Sequence, residues 1–324
     1  MVIRFAKNFL LIAAVLGLIA CAQQMNRRAG GGMTGTGSPL VTIGTVTKVG
    51  SVIVNGIEWN SDDARVLVNG KPSTTKGLSL GMIVRVEGNR DADGAARGVA
   101  NSIQYESDLV GPMNAASIQR DGGATKFSVA GQPIYADSTT VLEGFAQIAA
   151  LKGGDQLEIS GYRDRYYALH ATWIRKNTDG AGWVRVKGLV SDVAERSFKV
   201  EGLTVRYPKE LDLRAALIKD GTFVAINGKR DAADPMLVTA TRLTPIAVAV
   251  ALPEDTPVIM EGLIKGVTAA GFTMHNRPIK LGDTTTFERG SATDLREDTK
   301  VHVIGRLKSG TFSATKVIVA ARPQ

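Results

Sequence analysis

From residue 41 onward the chain repeats one alternation of apolar and polar positions four times. The clearest block is a glycine followed by apolar residues three and five positions later and a second glycine at the seventh. It occurs as Gly81, Val84, Val86, Gly88, then as Gly154, Leu157, Ile159, Gly161, and as Gly221, Val224, Ile226, Gly228. The last copy reads Asp298, Val301, Val303, Gly305. A period of two between turn formers predicts a half-buried strand.

A second pattern precedes each block. The segments beginning at Gly44, Gly111, Gly188 and Gly262 align, with inward columns Val52, Phe127, Phe198, Phe272 and Val54, Val129, Val200, Met274. A turn column follows as Gly56, Gly131, Gly202 and Asn276, where Asn is the usual substitute for a positive φ. Each copy ends in a strand with paired Ala and aliphatic positions: Ala100/Ile103, Ala171/Ile174, Ala240/Leu243, Ala314/Val317. The repeat starts are about 70 residues apart, and "FAQIAALKGG" and "KELDLRAALIKDG" are suited to a helical turn.

The expected fold is therefore all-β: four tandem small five-stranded barrels, OB-like with an SH3-like alternative, after a cleaved signal peptide and a flexible tether. Expected boundaries are 1–20 (lipoprotein signal peptide), 21–40 (lipidated cysteine and tether), then barrel units 41–107, 108–180, 181–247 and 255–322. A unit of this size buries only ~60% of its unfolded surface. Neighbours should pack together, or share strands through "TPIAVAVALPEDTPV". These β-repeats behind a lipobox resemble the bacterial domain-of-unknown-function 5666 family. That resemblance implies tandem small barrels in exported proteins and carries no catalytic residues.

The N-terminus changes the picture of where the chain lives. Arg4 and Lys7 precede an apolar run from Phe9 to Ala20, too short for the roughly 20 residues that span a bilayer as a helix. Leu18-Ile19-Ala20-Cys21 resembles the lipobox of bacterial lipoproteins. The resemblance implies cleavage after Ala20 and lipidation of Cys21, and Ala22 points to the outer membrane facing the periplasm over the inner membrane. Cys21 is the only cysteine, so no intrachain disulfide forms. Residues 22–40, Gly/Ser/Thr-rich, would hold the folded part roughly 20–25 Å from the anchor.

Charge and candidate chemistry add less. Net charge is +8 without any like-charged block, so no polyanion-binding tail is indicated. The stretch "VEGNRDADG" (86–94) has the alternation of a calcium loop, but the position of its bidentate acid is Ala100; it reads as a hairpin turn, with no metal and no cofactor expected. His275 and His302 fall in outward, variable positions of the last repeat and His170 belongs to a different unit; all three read as solvated strand histidines. No nucleophile elbow or recurring acid pair supports catalysis. The candidate ligand-binding residues are Arg163, Arg165, Tyr166, Tyr167 and Trp173, since aromatics interleaved with Arg form binding faces on OB-like barrels, although such residues also cover seams.

The function that follows is a non-enzymatic, lipid-anchored envelope scaffold or protein-interaction array. The rival is a glycan- or polyanion-binding lipoprotein using the Arg/Tyr face, and an envelope enzyme comes third. Expected partners are the membrane through Cys21 and envelope proteins or glycans, with nucleic acid excluded.

Overall fold

A computed structural model of the chain describes residues 37–121, 123–177, 182–212, 217–246 and 251–320. The expected signal peptide, its cleavage site at Ala20, and Cys21 lie outside the described residues. The described strands form two sheets, of 13 and 11 strands.

In the first repeat β1 (Ser38–Lys48), β2 (Val52–Val54), β3 (Ile57–Asn60), β6 (Ile83–Arg90) and β7 (Arg97–Tyr105) close a five-stranded barrel. β1 pairs antiparallel with β2 and β6, β2 with β3, and β6 with β7; β3 runs parallel to β7 and completes the ring. This is the OB-like order. β4 (Arg65–Val68) and β5 (Lys71–Ser73) form an extra hairpin beside β7.

The same order returns in β8 (Leu109–Asp121), β9 (Ala124–Val129), β10 (Gln132–Ala136), β12 (Gln156–Arg163) and β13 (Leu169–Lys176), with β11 (Val141–Glu143) added beside β13. It returns again in β14 (Trp183–Ala194), β15 (Ser197–Val200), β16 (Leu203–Arg206), β17 (Phe223–Arg230) and β18 (Leu237–Pro245). In the last repeat β19 (Pro257–Leu263) continues into β20 (Gly266–Thr268), followed by β21 (Gly271–Met274), β22 (Arg277–Glu288), β23 (Lys300–Lys308) and β24 (Thr311–Val319).

The inward columns fill these rings. Val52, Phe127, Phe198 and Phe272 are buried, as are Val54, Val129, Val200 and Met274, and the final-strand alanines and aliphatics. The segment before the fourth strand makes a short 3-10 turn at Thr75–Gly77, Ile148–Ala150, Lys209–Leu211 and Ala292–Asp294. Soon after each, a buried aliphatic (Leu78, Leu151, Ile218, Leu295) plugs the ring. Each plug lies three residues before the glycine, or Asp298, that opens the fourth strand.

Two backbone devices make the rings possible. The hairpin after the second strand has two successive positive φ angles: 51° and 74° at Asn55 and Gly56, 46° and 75° at Ala130 and Gly131, 49° and 87° at Glu201 and Gly202, 50° and 57° at His275 and Asn276. That is the type I′ turn, whose twist matches the strands it joins. The first turn residue folds back over the glycine that starts each repeat. A Cβ on Gly44, Gly111, Gly188 or Gly262 would meet Asn55, Ala130, Glu201 or His275 at 2.5–2.8 Å. The column that reads from sequence as outward and variable is therefore turned onto the barrel wall.

Repeats also join through their first strands. β1 pairs parallel with β19, so the first repeat joins the last. β8 pairs antiparallel with β14, joining the second to the third. Shared strands were expected through the Pro-rich segment at 244–258. Its end supplies one, since Pro257 and Val258 open β19 and Val258 pairs with Val41 of β1. Before that, Asp255 donates its amide to the Leu307 carbonyl of the last repeat at 2.9 Å, and Arg85 Nη1 of the first donates to the Ala251 carbonyl at 2.7 Å.

The glycine closing each fourth-strand block sits at a β-bulge, against the last strand. A Cβ on Gly305 would lie 2.3 Å from the Ser313 carbonyl oxygen, whereas one on Gly266 would meet nothing. Gly305→Ala should cost about 1–3 kcal/mol by overpacking, and Gly266→Ala no more than about 0.5 kcal/mol. Equal melting temperatures for the two variants would overturn the assignment of the bulge.

Candidate functional site

The first strands and their turns converge at one place, where all four repeats meet. Tyr162 of β12 stands at its centre, 4% exposed, with its hydroxyl 3.2 Å from Thr45 Oγ1 of β1. The ring meets His275 edge-on at 6.0 Å and lies under the Lys300 ammonium at 5.6 Å. Burial, with Glu261 nearby, pushes the Tyr162 phenol well above its usual value. Tyr162 is held as a neutral wedge.

Glu261 of β19 is the buried acid of this junction, 4% exposed. Thr45 donates to it twice, from its amide at 3.0 Å and its hydroxyl at 3.2 Å, and Lys300 pairs with it. Burial acts to raise its pKa. Lys300, His302 and the Thr45 amide outweigh that and hold it below its ordinary 4.5. His275 Nε2 lies 2.7 Å from the Glu261 carbonyl, and His302 Nδ1 lies 3.1 Å from Asn55 Oδ1. Burial lowers both imidazoles from 6.5. The expectation of solvated histidines is corrected for this pair, because His302 meets Asn55 of the first repeat and His275 meets Tyr162 of the second. His170 is partnered too, with Nε2 3.2 Å from Asp164 Oδ2 and its ring stacked 4.9 Å from Tyr135.

Beside Tyr162 lies a cleft of about 170 Å³, lined by Asp108, Arg163, Lys187, Phe223, Lys265 and Asn276 among others. A second space of about 260 Å³ shares Asp108, Tyr162, Lys187 and His275 with it and runs toward Ile43 and Arg85. Lys187 Nζ pairs with Asp108 at 3.0 Å. Arg163 spends its two terminal nitrogens on neutral acceptors, the Tyr167 carbonyl at 2.8 Å and Gln132 Oε1 at 2.9 Å. Lys265 donates to Asn276 Oδ1 at 3.0 Å and stands 4.4 Å over the Tyr167 ring. Burial, with Arg163 close by, lowers Lys265 to about 8.

The five residues singled out in sequence are not gathered into one face. Arg163 lines the cleft, and the Tyr167 ring packs against two of its lining residues, 5.6 Å from the Phe223 ring and 4.4 Å from Lys265 Nζ. Arg165 pairs with Glu297 and takes Asp298 Oδ1 on its amide at 3.1 Å, tying the second repeat to the last. Tyr166, 71% exposed, lies under the Arg165 guanidinium. Trp173 is fully buried in the first repeat's core cluster, where Tyr105 meets it edge-on, and its indole donates to Glu143 at 2.9 Å. Lys187 and Lys265 carried no sequence signal as site residues, since Lys187 is one polar position of β14 and Lys265 lies between β19 and β20, and Tyr162, beside Arg163 in sequence, was not singled out.

Fold and junction together define an all-β protein of tandem OB-like repeats closed onto one another. The chain belongs to the family described as domain of unknown function DUF5666, which matches residues 43–104, 116–175 and 261–318. The third repeat lies outside those matches yet has the same strand pairing. No curated protein matches the chain. Among solved structures, the single-stranded DNA-binding protein from Thermus aquaticus is similar at 15% identity, covering 45% of this chain and 94% of that one, with a TM-score of 0.23. The Drosophila Unr CSD456 structure is similar at 12% identity, covering 59% and 84%, with a TM-score of 0.19.

The expected partner set needs correcting. The expected exclusion of nucleic acid does not stand, since a single-stranded DNA-binding protein is among the similar structures. Likeness this slight carries no ligand from those proteins to this chain.

The junction's titration has a definite sign. The histidines' values lie below 6.5, so the stability they contribute is intact above 6.5 and lost as pH falls through their folded values. Glu261, held below 4.5, adds a second loss below 4.5. Lys300 is 40% exposed and stays solvated without its partner. Glu261→Gln should therefore cost about 1–3 kcal/mol near neutral pH and flatten the loss below 4.5. Melting curves on acidification check this; an unchanged acid limb in the variant would overturn it.

Proposed function

We propose that this chain is a non-enzymatic, lipid-anchored scaffold of the bacterial cell envelope, built as four OB-like barrels behind a tether. The observation that carries the scaffold reading is the β1–β19 pairing, which joins the first repeat to the last. Beads on a string would need no such joint. Polar groups at the junction are spent on holding repeats together: Thr45 on Glu261, Asn69 on Glu158, Ser160 on the Ile83 amide. A body fixed in this way presents its outer faces at set angles, and the tether gives it reach.

Anchoring rests on Cys21 and the lipobox-like segment before it. Several acyl chains on one residue hold a protein stably at a bilayer. The outer membrane, facing the periplasm, is the proposed address.

Fractionation of cells expressing Cys21→Ser tests the anchor. The variant should leave the membrane fraction or accumulate unprocessed, and membrane retention of a processed variant would overturn the anchor. Crosslinking in intact cells tests the scaffold: discrete complexes should appear with the native chain, and a chain that stays uncrosslinked would overturn it.

A further inference from the structure

The cleft beside Tyr162 carries more cationic charge than its own carboxylates balance. Arg163, Lys187 and Lys265 line it, and Asp108 is the acid among its lining residues. Asp108 is committed to Lys187 at 3.0 Å. Among the described residues no carboxylate oxygen lies within 4.0 Å of the nitrogens of Arg163 or Lys265. The nearest acids are engaged elsewhere. Asp164 accepts the Tyr166 and Ala168 amides and holds His170, and Glu201 lies by the Leu189 amide.

Two cations without acid partners, side by side and partly withdrawn from water, repel each other unless an anion lies between them. The fold keeps them there. Arg163 is pinned by Gln132 and the Tyr167 carbonyl, and Lys265 by Asn276 and the Tyr167 ring. The surplus is two charges, close to the roughly −1.5 to −2 that a phosphate monoester carries near neutral pH. Phe223, Ile246 and Leu263 give the same cleft an apolar wall. Its volume is about 170 Å³, or roughly six waters' share of the liquid.

We propose that this cleft binds the phosphate group of a small phosphate monoester, with Arg163 and Lys265 as its principal contacts, Lys187 as the third cation and the apolar wall receiving the organic part. The site is a single one, composed from the second, third and last repeats. It goes beyond the scaffold reading and does not depend on the anchor.

A pH dependence follows. Lys265 titrates at about 8 in the free protein. A bound anion favours its charged form, so affinity should be greatest between about 6, above which the monoester carries its second charge, and about 8, and fall as pH rises further. The groups acting on Lys265 are Arg163, which lowers it, and Asp164, which raises it. His275, also at the cleft, is lowered by burial and stays neutral across this range.

The test uses the full-length chain in detergent, titrated with inorganic phosphate and with phenyl phosphate, against sodium chloride and benzoate at matched ionic strength. Thermal shift and calorimetry should show saturable binding of both phosphates, tighter for phenyl phosphate, and no saturable response to chloride. Lys265→Met should weaken that binding at least tenfold while leaving the free protein as stable as before. Asn276→Asp, which supplies a carboxylate to Lys265 from within, should weaken it similarly, and it decides the matter if Lys265→Met fails to fold. A response shared with chloride, benzoate binding as tight as phenyl phosphate, or undiminished phosphate affinity in the folded variants overturns the proposal.

Discussion

Closing five short strands into a ring within about 70 residues requires the end of the first strand to meet the start of the fourth. One reciprocal pair of main-chain hydrogen bonds makes that contact in every repeat. The amides of Gly81, Gly154, Gly221 and Asp298 donate to the carbonyls of Val46, Met113, Val190 and Ile264 at 2.7–2.9 Å. The amides of those four apolar residues donate back to Met82, Asp155, Thr222 and Thr299 at 2.8–3.0 Å. All four donors at the fourth-strand start have positive φ, between 62° and 86°. Glycine reaches that region without strain; Asp298 does so at a cost that Asp tolerates better than most residues. The exception is informative. Asp298 uses its side chain to receive the Arg165 amide, so the one repeat that gives up glycine gains a tie to the second repeat.

That closing contact explains why so much of the ring was legible in the sequence. Positive φ selects glycine, inward strand faces select aliphatics at period two, and both marks recur at fixed spacing. What was not legible depends on distance in the chain. The β1–β19 pairing is made by main-chain groups at register Val41 to Val258, and main-chain groups leave no side-chain signature. The type I′ turns were half visible. Gly56 and its counterparts announced a positive φ, but Asn55, Ala130, Glu201 and His275 share no chemistry, and a column of four unlike residues reads as solvent-facing. Their common property is backbone conformation, and each lies over a glycine 11 to 19 residues earlier.

Trp173 shows the same limit from the other side. Its neighbours in "GYRDRYYALHATWIRK" suggest a binding face, and strand alternation does split the segment into two faces. Which face meets another repeat is decided by the docking of the second repeat on the first. There Trp173 enters the first repeat's core, and Glu158, also buried, takes Arg175 at 2.6 Å and Asn69 at 2.8 Å. The Arg175 pair is internal to the second repeat, so the bond that crosses to the first repeat is the one from Asn69; desolvating the Glu158 carboxylate offsets much of the attraction in both.

The division between constant and variable positions bears on how a tandem protein comes to have one site. The four repeats agree at the positions that close and fill the rings, and differ at the positions that face the junction. Equivalent turn residues are an amide, a methyl, a carboxylate and an imidazole. An array acting by avidity would need the same contact surface offered several times. Here the equivalent surfaces are turned toward one another and consumed in different ways: Asn55 binds Thr42 and meets His302, Glu201 lies by the Leu189 amide, and His275 meets Tyr162. Lys265, Arg163 and Lys187 occupy non-equivalent places in their repeats, so no copy could form the cleft alone. The repetition builds the walls, and the differences among the copies build the one asymmetric space between them.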